Sequence, residues 1–289
     1  MISGAIAYQA LLQQNPKTIE KVKAALEQHP WYANQWQARL QDVVVADHGI
    51  VLFMQAARWA DDNRTRDKTQ TRLPWHYINL PFKPEGQPTT VQIRELEPVN
   101  ILTALAENES VVKNQTDPER KAIALAWLFH LVGDVHQPLH AVQLFTVEYP
   151  NGDRGGNQIC IRVSQAGQPV DLHRFWDGVI TSSQNLTRLR NEATALRNRQ
   201  EFQRGQLTEL TSTGFESWAK ESYEIATKFA YRNGGRIGIP RGGNKDCTTV
   251  TVPPVLPSGY VVSASRIGDR RMILAGYRMA DLLTQLTQN

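Results

Sequence analysis

Seven histidines are spread along the 289 residues, and four of them fall into a pattern with aspartates that ordinary packing does not explain. His130 and Asp134 stand four residues apart in a strongly apolar stretch, so on a helix both leave the same face one turn apart. His173 and Asp177 repeat the spacing in Asp171-Leu172-His173-Arg174-Phe175-Trp176-Asp177. Two such pairs can each hold one side of a metal ion. His140 lies just beyond the break at Pro138 and can turn back toward the His130 helix end, while Asp61 and His76 offer a second carboxylate and imidazole from loop positions. Imidazole nitrogen and carboxylate oxygen form a ligand set that Zn²⁺ accepts without thiolates. These seven donors are too many for one tetrahedral ion. A lone histidine on an apolar helix is more often a hydrogen-bonded core residue, and one histidine–aspartate pair is commonly a surface contact. His29 and His48 have no acidic partner at a useful spacing and read as structural. His136, pointing elsewhere on its helix, reads as a supporting or exposed residue rather than a ligand.

Such donors need rigid carriers, and helical spacing dominates the chain. Ile2, Ile6, Ala7, Ala10 and Leu11 mark an apolar face, continued over 17–28 after the breaker Pro16. A buried helix over 50–59 runs into the polar stretch 61–71 and leaves Asp61 and Asp62 at a loop mouth. Residues 75–79 read as short and extended, and 81–90 as a proline-rich loop. Further helices are expected over 100–112, 118–135, 186–201, 214–231 and 267–286, with a Gly/Pro-rich loop over 234–257. Residues 144–149 and 158–163 flank the turn-rich 151–156 and suit a small β-hairpin. Trp59, Trp75, Trp127, Trp176 and Trp218 lie in or beside apolar stretches and read as packing. No linker divides these elements, so the sequence predicts a mainly α, single helical domain over 1–289.

Composition narrows the class further. With 41% hydrophobic and 21% charged residues, the chain can bury a large core, and neither disorder nor collagen is compatible with it. The longest apolar stretch, 122–129, falls far below the ~20 residues that cross a bilayer. A net charge of +4 mildly favours anionic partners. Two cysteines, Cys160 and Cys247, exclude a disulfide scaffold and a cysteine zinc site, and leave open one bridge or two free thiols.

Trp59-Ala60-Asp61, Trp75-His76-Tyr77-Ile78, the block from His130 through Asp134 to His136-Gln137-Pro138-Leu139-His140, Gly155-Gly156-Asn157 and the His173/Asp177 pair occur in a telling order and spacing. Over nearly the whole chain the sequence resembles the zinc-dependent, single-strand-specific nucleases of the S-one/P-one type. The resemblance implies the helical phospholipase C/P-one nuclease fold, with a trinuclear zinc cluster at the base of a cleft. Asp61, His76, His130 and Asp134 would hold one zinc, and His140, His173 and Asp177 a second. A third zinc would take Asp134, a histidine and an N-terminal tryptophan, and those last two residues are missing here. The expectation is that Met1 is an internal methionine just after that histidine, and that upstream DNA encodes a signal peptide. The protein is then secreted or periplasmic.

The same resemblance implies an endonuclease and 3′-nucleotidase acting on single-stranded DNA and RNA, as a monomer, to give 5′-phosphate products. Asp61 would bind zinc and orient the attacking water, and Arg64 would sit near the scissile phosphate. Tyr77 matches an aromatic base-stacking position, and Asn79 stands where an aspartate often reads the base edge. Asn157, after two glycines, is a candidate contact to phosphate or base. A zinc-dependent phospholipase C and a zinc-bound nucleic-acid-binding protein with impaired catalysis are the competing readings.

Overall fold

The computed structural model describes residues 1–64, 71–242 and 246–288. Residues 65–70 of the expected polar stretch and 243–245 of the expected Gly/Pro-rich loop lie outside the described residues.

Helices build the molecule, as the spacing predicts. Helix α1 (Ile2–Gln14) is apolar enough to be enclosed, with Ala5, Ile6, Ala7, Ala10 and Leu11 wholly buried. Pro16 opens α2 (Pro16–Leu26), and a short α3 (Gln37–Leu40) follows. The apolar run near residue 50 forms α4 (His48–Ala56), which ends before α5 (Trp59–Asn63). Helix α6 (Ile101–Asn114) starts on a capping box in which Asn100 and Thr103 exchange side-chain and backbone hydrogen bonds. Helix α7 (Pro118–Val135) has the predicted limits: Asp117 accepts hydrogen bonds from the Glu119 and Arg120 amides, Pro118 fills the first position, and Pro138 prevents continuation. Then come α8 (Leu172–Asp177), α9 (Leu186–Asn198), α10 (Phe215–Ile225) and the long α11 (Tyr260–Thr287). Helix α1 lies against α4, α9 and α11. The backbones of α1 and α11 approach closely at Gly276, where an added Cβ would fall 2.3 Å from Ile6 Cγ2. No helix of the described residues is long and apolar enough to cross a membrane.

The β structure is small and differs from the expected arrangement. Strand β1 (Leu80–Phe82) pairs in parallel with β2 (Val142–Leu144), placing Leu80 opposite Val142. Strand β3 (Ile159–Ile161) lies between β4 (Val170–Asp171) and β5 (Ile239–Pro240), antiparallel to both. A small hairpin therefore exists, but its arms are β3 and β4. Residues 144 and 159 belong to different sheets, because the buried Asp153 organises the turn between them as a separate structure.

Two apolar clusters result. The larger joins α1, α4, α7 and α11, with Phe53 edge-on to Phe129 and Trp127 edge-on to Trp59 and Trp75. The smaller gathers Leu139, Val142, Ile159, Ile161, Leu172, Trp176, Tyr231 and Tyr260 around the strands and α8. Trp59, Trp127, Trp176 and Trp218 are buried. Trp75 is half-buried against Trp127.

Candidate metal centre

The carriers of the predicted donors meet at the floor of an open cleft of about 1690 Å³. Helix α7 presents His130 and Asp134 one turn apart, with Nε2 of His130 3.0 Å from Oδ2 of Asp134. A single 3₁₀ turn over Leu73–His76, with Pro74 near its start, delivers His76, whose Nδ1 lies 2.9 Å from the same carboxylate oxygen and 2.9 Å from His130 Nε2. Asp61, from α5, brings Oδ1 to 3.9 Å from His130 Nε2 and keeps 54% of its side chain exposed. A second group forms beside the first. His140, on the 3₁₀ turn Pro138–Ala141, and His173 stack at 4.8 Å, and each has Nε2 3.6 Å from a carboxylate oxygen of Asp177. Oδ2 of Asp134 lies 3.7 Å from Nδ1 of His140, so this carboxylate stands between the two groups.

The remaining ring nitrogens decide what these imidazoles can do. Nδ1 of His130 faces the Ala57 carbonyl at 3.1 Å, Nδ1 of His140 faces the His76 carbonyl at 2.6 Å, and Nδ1 of His173 faces the Gly155 carbonyl at 2.7 Å. A carbonyl only accepts, so Nδ1 keeps its proton, and in the neutral ring each Nε2 has the lone pair that faces the cleft. Lone pairs and carboxylate oxygens converging at such separations repel unless positive charge lies between them. A histidine that gives its other N–H to a carbonyl is the arrangement metal-ligating histidines adopt. The donor set thus fits two groups of divalent-ion ligands: Asp61, His76 and His130 in one and His140, His173 and Asp177 in the other. With no ion bound, a second proton supplies that positive charge. Burial opposes charge on His130 and His140, yet Asp134 and Asp61 push the first up to about 9, and Asp134 and Asp177 push the second up to about 9. Against its own burial, Asp134 is held well below the usual carboxylate range by His130 and His140.

The candidate substrate residues line the same cleft. Arg64 is exposed and has Nη1 3.4 Å from Asp61 Oδ1. Tyr77 and Asn79 are half-buried on the wall that follows His76. Asn157 also lines the cleft, but its Nδ2 donates to the Arg154 carbonyl at 2.8 Å, so one of its polar groups closes the turn.

Several residues that hold the donors were not visible as such in the sequence. Gln137 Nε2 donates to Asp177 Oδ1 at 2.8 Å. Asp153 accepts from the backbone amides of Leu144, Gly155 and Gly156 and from the Tyr231 hydroxyl, and so fixes the turn whose Gly155 carbonyl orients His173. An added Cβ on Gly155 would fall 2.3 Å from the Leu139 carbonyl oxygen, which explains a glycine there. His136 is buried and supporting: Arg278 Nη1 donates to its Nε2 at 2.8 Å, and its Nδ1 donates to the Val132 carbonyl at 2.7 Å. His29 and His48 lie outside the cluster, His29 stacked on Trp36 and His48 against the Val43 carbonyl. Cys160 and Cys247 form a disulfide, with Cα atoms 5.5 Å apart.

Comparison with known proteins agrees with this architecture. Endonuclease 3 of Arabidopsis thaliana is 29% identical over 198 residues, covering 65% of this chain and 58% of that protein. Endonuclease 4 of the same plant is 28% identical over 199 residues, covering 64% and 56%. Nuclease S1 of Aspergillus oryzae is 25% identical over 135 residues, covering 46% and 44%. The chain thus spans little more than half the length of the two plant proteins. The model of the S1/P1 Nuclease family matches residues 1–288, and with histidines and aspartates from the central part of that match, Asp61 to Asp177, gathered into a single cleft, the chain belongs to the S1/P1 nuclease family.

Proposed function

We propose that the protein is an endonuclease and 3′-nucleotidase that hydrolyses phosphodiester bonds of single-stranded DNA and RNA to 5′-phosphate products. Zinc ions held by Asp61, His76, His130, Asp134, His140, His173 and Asp177 are its cofactors. The observation that carries this reading is the convergence of four imidazoles and three carboxylates in one open cleft, with Nδ1 of His130, His140 and His173 already committed to carbonyls. When bound, divalent ions acidify a water and offset charge on phosphoryl oxygens. Asp61, about half exposed, would help hold such an ion and can accept a hydrogen bond from an attacking water to fix its direction. Arg64 beside it offers a planar pair of donors to phosphate oxygens as charge develops. Tyr77 presents a ring to an unpaired base, a contact worth ~1–3 kcal/mol that a duplex does not expose. Asn79 supplies donor and acceptor groups for a base edge. The Cys160–Cys247 bridge supports an oxidising compartment, secreted or periplasmic.

The test is a pair of assays on purified protein with its metal content measured. Single-stranded DNA should yield 5′-mononucleotides while phosphatidylcholine stays intact; a chelator should abolish release and zinc restore it. Cleavage of the lipid without nucleotide release would assign the chain to phospholipase C chemistry, and zinc with neither activity would leave a binding protein.

A further inference from the structure

We infer that Arg154 grips a phosphate of the bound strand on the cleft wall, next to the scissile one. The inference rests on the nuclease reading and adds a contact that reading does not contain. Arg154 has a backbone φ of +57°, in the left-handed region where an L residue's Cβ crowds the following carbonyl. Its neighbours in that region, Gly152, Gly155 and Gly156, are glycines, so an arginine occupies a place that glycine would take without strain. The guanidinium is not what holds the turn. Asp153 anchors it from below through four accepted hydrogen bonds, and the Arg154 carbonyl accepts from both the backbone amide and Nδ2 of Asn157. Among the described residues the Arg154 side chain has no hydrogen-bond or ion-pair partner, and it is exposed along the cleft. Glu148, an acid on the same wall, is paired with Arg236 at 3.2 Å. One residue further on, the Gly155 carbonyl orients His173. A strained backbone therefore carries, beside the metal centre, a planar cation that no other described residue pairs. Backbone strain that persists on a structurally idle side chain marks a function for that side chain. A guanidinium so placed suits bidentate contact with a phosphodiester, and the cleft is larger than a mononucleotide requires.

The decisive comparison uses the metal-loaded protein and its Arg154→Ala, Arg154→Gly and Arg154→Lys variants. Binding of a fluorescent phosphorothioate-linked oligothymidylate is read by anisotropy, at times shorter than its cleavage, across a salt series. Arg154→Ala and Arg154→Gly should weaken binding roughly tenfold. They should also flatten the slope of log affinity against log salt by about 0.7, the value of one single-strand phosphate contact. Arg154→Lys should keep the slope and lose part of the affinity. Thermal unfolding separates this from a structural role: Arg154→Gly removes the left-handed strain, so its midpoint should hold or rise by about 2 °C while binding falls. Unchanged binding in the Ala and Gly variants would overturn the inference, as would a fall in midpoint that tracks the loss of binding. Hydrolysis of a 3′-mononucleotide is run beside it, where the defect should be smaller than with the oligonucleotide. A wild-type protein that neither binds nor cleaves nucleotides would overturn the nuclease reading and this inference with it. An active wild type with indifferent variants would overturn this inference alone.

Discussion

Asp134 is where the two halves of the centre meet: one carboxylate oxygen lies within 2.9 Å of His76, 3.0 Å of His130 and 3.7 Å of His140. A histidine outside the centre gives the clearest pH signature. His29 is buried between Trp36 and Trp59, accepts the Trp31 amide at Nδ1, and has its pKa lowered to about 3 by burial. The fold favours the neutral ring, so this residue's contribution is complete above the unfolded value near 6.5. It is lost as pH falls toward 3, by at most about 5 kcal/mol. His29→Gln should flatten the pH dependence of unfolding between pH 6.5 and 4, measured by urea denaturation beside the wild type. The His130/Asp134 and His173/Asp177 pairs stood out in the sequence because a spacing of four is a local property of a helix, whereas the grouping of Asp61, His76 and His140 with them rested on the family resemblance. Asp153 was not, because it sits in a polar turn that reads as exposed and is buried through Tyr231, 78 residues away.

The supports of α7 come from helices distant in the chain. Arg271 Nε on α11 donates to the His136 carbonyl at 3.1 Å, and Ser222 on α10 donates to the Val135 carbonyl, so the end of the helix that carries His130 and Asp134 is tied from below. Glu221 binds the guanidinium groups of both Arg271 and Arg278, which are almost fully buried. Glu221→Gln leaves two buried cations short of their counter-charge, and a loss of about 3 kcal/mol is expected in the urea unfolding free energy. Equal stability of the two proteins would show that the arginines are compensated elsewhere. Legibility varied at this scale for a physical reason. Caps and prolines bound α7 on both sides, so its limits could be read. Helix α11 begins at Tyr260 rather than near 267, because its first turns mix Ser263, Ser265 and Arg266 with the buried Tyr260 and Ala264. Strands of two or three residues are too short for alternation to specify partners, which is why the hairpin arms were misplaced.

Across the molecule, the cleft follows the seam between the two apolar clusters, with α7 on one side and the strands and α8 on the other. The smaller cluster is stapled by the disulfide, whose cysteines are 87 residues apart. Closing a loop of that size stabilises by about 5 kcal/mol in the chain-entropy account, and a Cys160→Ala/Cys247→Ala double variant should lose most of that in urea. An unchanged midpoint would show the bridge to be neutral. Whether the cysteines pair could not be read from a sequence with no local signal for it. The parallel pairing of β1 with β2 has a further consequence. It continues upstream as the Ile78 amide donating to the His140 carbonyl at 2.8 Å, and as His140 Nδ1 on the His76 carbonyl. The interval between the two donor groups is thereby gauged by main-chain register, in which a slip of a single residue would turn every side chain to the opposite face. Amide-to-carbonyl gauging is blind to side-chain identity, so substitutions along the rim can change which guests the cleft admits while the interval between the two donor groups stays as it is.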